Sequence, residues 1–199
     1  MSTVLEAAPD QELDEADAPA RVPPLPEFFE IINGEVREVL PMSDYAGEVA
    51  DRLNTAVKSY LIGNPIGRCS TERLYHIPQP DDPGRNRRPD LAYVSFGRWP
   101  ENRPYEFRAN ARDVVPDLVC EVVSPTDDAE DLLSKVREYH RGTVRLVWVI
   151  YPGLQEVHAH WPGANTIRVY AGTDELDAGD ILPGFRTAVA PLFPPVAPA

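Results

Sequence analysis

From residue 27 onward the chain alternates short apolar runs with polar breaks, and the spacing inside each run separates strands from helices. EFFEIINGEVREVL (27–40) contains two extended segments on either side of Asn33-Gly34, the strongest short hairpin signal, and Pro41 ends the second. From Ser43 to about Ile62 the period changes: Val49, Leu53, Ala56, Val57, Tyr60 and Leu61 recur at helical spacing, with Ser43 or Asp44 as cap and Gly63-Asn64-Pro65 as stop. IGRCSTERLYHI (66–77) is predicted as one strand, QPDDPGRNR (79–87) as a loop, and 89–95 as the next strand. An irregular arginine-containing connection with Trp99 and Pro104 fills 96–113, and 114–123 is the most apolar strand. Ser124-Pro125-Thr126-Asp127 then breaks the chain and caps a helix over 127–141 that stops at Gly142. VRLVWVIYP (144–152) is β-rich, EVHAHWPGANTIRVYAG (156–172) reads as a hairpin, and ILPGFRTAVAPLF (181–193) is a short apolar close. Helices set within a mainly strand pattern predict an α/β or α+β domain around one mixed sheet.

Composition narrows this to one domain with tails. The chain has 199 residues and is 43% hydrophobic, enough for a full core, and no run approaches the ~20 apolar residues of a membrane helix. Residues 1–24, rich in Ala, Pro and acids, are expected to be a disordered tail. Residues 25–194 are expected to form the domain, and 195–199 to fray. With no signal-peptide pattern, a cytoplasmic protein is expected. Cys69 and Cys120 lie in apolar runs without zinc-type spacing and are expected to be reduced core thiols.

The net charge is -13. Six of the 32 acidic residues lie among the first 20 positions, yet without them acids still outnumber the 19 basic residues. Global charge therefore argues against tight non-specific binding to nucleic acid, and any such contact needs a local basic patch.

The candidate chemistry begins in PDLVCEVVSP (116–125), a strand that carries Asp117 and Glu121, with an upstream echo, PDLAYVS, that carries Asp90. Asp117 and Glu121 share a face of the strand but lie roughly 13 Å apart along it, too far to ligate one ion. Neighbouring strands are only ~4.8 Å apart, so the partner for Glu121 must come from another strand, and Asp90 is the natural candidate. A carboxylate between Cys120 and Val122-Val123 must be paired or neutralised. A divalent cation shared with Asp90, with the backbone carbonyl of Val122 as a further ligand, would do so. Magnesium, which takes one or two carboxylates plus water and phosphate, suits such a site, with manganese as a substitute. Asp117, following Pro116, is read as structural.

On the 127–141 helix the apolar stripe is Ala129, Leu132, Leu133, Val136 and Tyr139, with Lys135 at its edge. The long Lys135 stem can carry its ammonium to the carboxylates, where it would orient water and stabilise developing charge. Tyr139 is read as core. Glu48, on the first helix, is a candidate to hold a metal-bound water. Arg85, Arg87 and Arg88, just before Asp90, either contact phosphates or keep a loop soluble, and His158 and His160 are expected on a solvent-facing hairpin.

The order FEIINGEV, helix, RPDLAYV, PDLVCEVVSPT, Lys135 with Tyr139, LVWVI and LPGF resembles the Uma-two family of restriction-endonuclease-like proteins, within the PD-(D/E)XK nuclease superfamily. The resemblance runs over about residues 27–193. It implies a restriction-endonuclease-like mixed β-sheet flanked by helices, with an N-terminal β-hairpin, and Mg²⁺-dependent hydrolysis of DNA. It maps metal binding to Asp90 and Glu121. The superfamily's usual lysine, two positions after the glutamate, falls on Val123, so the resemblance implies that Lys135 takes over that role. Two departures stand out: Tyr45-Ala46-Gly47 where members often carry a His, and Tyr151-Pro152 where many carry an Asp before the Pro.

The expected function is a Mg²⁺-dependent endodeoxyribonuclease, with a homodimer suited to cutting both strands. The alternative is a catalytically inactive nuclease-fold module for binding or regulation. A weaker third class is a two-carboxylate glycoside hydrolase, for which the chain shows no aromatic-lined cleft.

Overall fold

The structure, a computed structural model, describes residues 24–124, 127–164 and 166–196. The expected acidic tail lies outside the described residues except Pro24, as does the expected frayed end except Pro195 and Val196. Pro125 and Thr126 of the expected helix cap also lie outside.

The N-terminal hairpin forms as predicted. Strands β1 (Phe29–Ile32) and β2 (Glu35–Glu38) pair antiparallel across Asn33-Gly34, both at positive φ (54° and 77°). That conformation matches the right-handed twist of the flanking strands, which is why Asn-Gly occupies it. Helix α1 (Asp44–Gly63) starts at Ser43, whose side chain accepts from the Ala46 amide, and it buries Val49, Leu53 and Val57.

The single strand predicted over 66–77 is two strands, β3 (Gly67–Thr71) and β4 (Tyr75–His76). Glu72 between them takes φ +48°, and the chain turns there from one sheet into another. The predicted loop 79–87 likewise contains a short strand, β5 (Asn86–Arg87), which joins β1 to β4. A four-stranded sheet of order β2-β1-β5-β4 results. Periodicity over two residues carries no signal, so only the hairpin half of this sheet was legible.

The main sheet has six strands: β6 (Leu91–Ser95), β7 (Leu118–Val122), β8 (Leu146–Tyr151), β9 (Glu156–His160) and β10 (Arg168–Ala171), with β3 at its edge, in the order β10-β9-β8-β7-β6-β3. Only β7 and β8 run parallel, joined by helix α2 (Ala129–Arg141), whose N-cap is Asp128. A parallel pair requires such a crossover, and the helix must lie on one face of the sheet. The β7 strand is shorter than the 114–123 run because Asp117 folds back to accept from the Ser95 amide at 2.8 Å.

Alternation along the sheet splits the core in two. Leu91, Leu118, Cys120, Leu146 and Trp148 face α1, while Ala92, Val119, Val147 and Val149 face Val136 and Tyr139 of α2. The apolar close packs on the α1 side: β11 (Glu175–Leu176) pairs with β12 (Thr187–Ala188), and Phe185 lies 6.2 Å from Trp148. Leu133 leaves the predicted stripe and is exposed. Both cysteines are free and buried. Among the described residues no helix is long and apolar enough to cross a membrane.

A close approach occurs at Gly67, where an added Cβ would overlap the Val94 carbonyl oxygen and the buried Tyr93 ring. Gly67→Ala is therefore expected to destabilise the protein by about 1–3 kcal/mol, read as a lower urea midpoint. An unchanged midpoint would show that β3 can shift freely along this edge.

Candidate active site

Strand β7 is buried at every position, and Glu121, 6% exposed, is its one carboxylate. The same parity that sends Val119 toward α2 sends Glu121 there too. Helix α2 meets it with two donors one turn apart. Lys135 Nζ lies 2.7 Å from Glu121 Oε2, and the Tyr139 hydroxyl donates to Oε1. Their i, i+4 spacing on one helix face makes the pairing possible. Burial pushes the Glu121 carboxyl up from its ordinary value, opposed by Lys135. Burial also works against the Lys135 ammonium, but Glu121 and Glu30 outweigh it and hold the lysine charged, above its ordinary value.

Asp90 stands just before β6. The β6–β7 register pairs Leu91 with Cys120, and one further step sets Asp90 directly across from Glu121. Its Oδ2 accepts from the Val122 amide at 2.6 Å. Burial, then the neighbouring Glu121 charge, pushes the Asp90 carboxyl up to about 7. No cationic side chain lies within ion-pair distance of Asp90 among the described residues.

Of the residues singled out from the sequence, Asp90, Glu121, Val122 and Lys135 come together. Glu48 does not join them. Its side chain is exposed, bonds Arg52 at 2.6 Å, and lines a groove with Glu72 on the α1 side. Tyr139 is core, as read, but also holds the site's glutamate. Asp117 is structural: beyond the Ser95 amide it pairs with Arg98 at 3.1 Å. His158 is half-buried, bonded to Glu156 at 2.8 Å.

Glu30 was missed. It is 4% exposed on β1 and accepts from Arg87 at 2.6 Å and from the Arg88 amide at 2.9 Å, with Lys135 at 3.9 Å. Burial would raise its carboxyl, but Lys135 and Arg87 pull it below the ordinary range. Arg87 also pairs with Glu138, which binds Arg85 at 2.7 Å; Arg85 in turn binds Asp82 at 2.8 Å, and Asp82 accepts from the Asn33 amide at 2.6 Å. A ladder of alternating charges thus runs from Lys135 to the hairpin turn. Arg85 and Arg87 are rungs of this ladder, and both also line the cleft over Glu121 and Lys135. Arg88 bonds the Glu72 carbonyl at 2.7 Å. The available signal for Glu30 was an acid inside the apolar run Phe28–Ile32.

A cleft of about 630 Å³ opens over Glu121 and Lys135, with Arg37, Asp128 and Asp131 on its walls. Among the described residues no group of three or more His, Cys, Asp or Glu side chains is arranged to hold a metal. A cation here would draw on two carboxylates and a backbone carbonyl, leaving the remaining positions to water or phosphate. These hard-oxygen donors fit magnesium, and the burial and like-charge repulsion that raise Asp90 are what a divalent cation would offset.

Against known proteins, a profile for the Uma2 family, described as "Putative restriction endonuclease", matches residues 20–190. No curated protein matches the chain. Among solved structures, one described as a putative nuclease belonging to DUF820, from Anabaena variabilis, aligns with a TM-score of 0.67 at 18% identity, covering 83% of this chain and 89% of that one.

The Asp90 shift has a sign that can be tested in metal-free buffer. Unfolded, this carboxyl titrates near its ordinary 3.8; folded, near 7. Between those values the folded chain keeps a proton that the unfolded chain has released, so this group's contribution to stability falls as pH rises from about 4 to about 7 and is flat above. Asp90→Asn cannot ionise and still accepts from Val122. It is expected to exceed the parent's stability at pH 8 by a few kcal/mol at most, and to lose that advantage below about pH 4. Urea unfolding across pH checks this; a variant weaker than the parent at pH 8 would contradict it.

Proposed function

The chain belongs to the Uma2 family, and on that footing we propose that it is a Mg²⁺- or Mn²⁺-dependent endonuclease that hydrolyses phosphodiester bonds in DNA. The observation that carries this reading is Asp90 set across from Glu121, with Lys135 on the glutamate. Asp90, Glu121 and the Val122 carbonyl would hold the cation. When bound, that cation supplies Lewis-acid polarisation of the phosphate and a more acidic water.

The chain's own residues do the rest. Lys135, held protonated, acts as an electrostatic group and not as a base: its ammonium offers a fixed positive charge to phosphate oxygens as negative charge builds on them. Tyr139 fixes the second Glu121 oxygen, so the carboxylate keeps one orientation. Glu30, itself held by Arg87, supplies a second carboxylate beside Lys135 at 3.9 Å. Glu48 has a smaller part, ordering water in the groove it shares with Glu72. A cytoplasmic homodimer with two such sites would cut both strands.

A second reading, a silent nuclease-fold module, draws on the direct Lys135–Glu121 pair, which already neutralises the buried carboxylate without a metal.

Purified protein is expected to nick or cleave DNA with Mg²⁺ or Mn²⁺ and to be inert in EDTA. Glu121→Gln should abolish cleavage while the far-UV spectrum is kept, and Lys135→Ala should cost about 10²–10³ in rate. Full activity in EDTA would sink the metal mechanism. Calorimetry showing no Mn²⁺ binding sensitive to Glu121→Gln would favour the silent module.

A further inference from the structure

The long connection between β6 and β7 builds a second, chemically different surface. Trp99 and Tyr105 lie 5.0 Å apart between ring centroids. Guanidinium groups surround them: Arg68 lies 5.8 Å from the Trp99 ring and 5.9 Å from Tyr105, Arg112 lies 5.6 Å from Tyr105, and Arg103 lies 5.0 Å from Trp99. These contacts are fixed from below. Arg68 donates to the Trp99 carbonyl at 3.2 Å, and Arg112 donates to Ser70 Oγ at 2.9 Å and to the Tyr75 hydroxyl at 2.7 Å. The arginines therefore act as struts that hold the aromatic rings in place.

The outer side is left for a ligand. Tyr105 is 58% exposed and Phe107 is fully exposed, two residues further along the same loop. A cavity of about 240 Å³ opens here, lined by Arg73, Trp99, Arg103, Tyr105 and Arg112. Glu106 and Asp113 also line it, and Asp113 is paired with Arg103 at 3.6 Å. Arg68, Arg73, Arg108 and Arg112 have no carboxylate within ion-pair distance among the described residues. In a chain with a net charge of -13, Arg68, Arg73 and Arg112 beside Trp99 and Tyr105, with Arg108 next to Phe107 in sequence, supply the local basic patch that nucleic-acid contact requires.

We propose that the Arg73–Tyr105–Phe107–Arg108 surface binds single-stranded nucleic acid, with unpaired bases stacking on Tyr105 and Phe107 and phosphates meeting Arg73 and Arg108. The inference rests on the nuclease reading for the identity of its ligand. Exposed rings reach only bases that are out of a duplex, because paired bases are already stacked inside it, whereas every unpaired base offers a face. The surface also adjoins the candidate site: Arg73 follows Glu72, whose amide donates to the Asp90 carbonyl at 3.1 Å. A strand held here is delivered beside Asp90.

Fluorescence anisotropy with a labelled oligothymidylate, and with the same length of duplex, tests this on the full chain in EDTA, where no cleavage occurs. Tyr105→Ala and Phe107→Ala, both solvent-facing, should each weaken single-strand binding about tenfold. Arg108→Ala should reduce the slope of log affinity against log salt by about 0.7. Parent-like binding by all three variants, equal losses on duplex, or no single-strand binding by the parent at low salt would each overturn the proposal. Mg²⁺-dependent cleavage by the parent, run alongside, separates the two readings. Intact cleavage with unaltered oligonucleotide binding removes the surface and leaves the nuclease. Lost binding in the variants of a parent that cleaves nothing keeps the surface and removes the nuclease.

Discussion

A carboxylate buried in the middle of an apolar strand is the constraint on which the rest of this molecule turns. Left alone, Glu121 would cost several kcal/mol in the core of β7. Helix α2 answers it with an ammonium and a hydroxyl, and both require the helix at one rotation over the sheet. Lys135 is in turn flanked by Glu30, Glu30 by Arg87, and so on through Glu138, Arg85 and Asp82 to the backbone of Asn33. One buried charge thereby sets the position of a helix and docks a second sheet. Inner rungs have a partner on either side, so the loss of one weakens its neighbours without stripping them of every partner.

How much of this could be read from the chain differs by element. The Asn33-Gly34 hairpin, both helices and the Trp148 strand follow from turn chemistry and periodicity, because each signal spans enough residues to be unambiguous. The split at Glu72 did not follow, since nothing about a glutamate announces φ +48°. The strand at Asn86–Arg87 is two residues long and is defined by its neighbours in space. In the site, Asp90, Glu121 and Lys135 were legible because a charge in an apolar run demands an explanation. Glu30 carried the same kind of signal, but the charge that answers it lies in loop residues whose fold had no local pattern.

The two PDL segments show how one tripeptide acquires two uses. Both aspartates follow a proline at the mouth of a strand. Asp117 faces Arg98, Arg145 and the Ser95 amide, and these neighbours pin the loop after β6. Asp90 faces a carboxylate and a single amide, with no cationic side chain at ion-pair distance among the described residues. The difference lies in which strand stands opposite, a property of register and not of the motif.

The ladder also bears on how the chain comes to be folded. Its rungs alternate between the first strand, the segment before β6, and the second helix, and apart from the Asp82–Arg85 pair its ion pairs join segments far apart in the chain. During synthesis the N-terminal hairpin emerges well before α2, and until then Glu30 has Arg87 and the Arg88 amide as partners but lacks Lys135. The ion pairs that tie the second sheet to Lys135 and Glu138 can form only once α2 is present. A nascent or truncated chain lacking α2 would carry Glu121 without its ammonium and hydroxyl partners, which ties any chemistry at this site to synthesis of the chain through Tyr139.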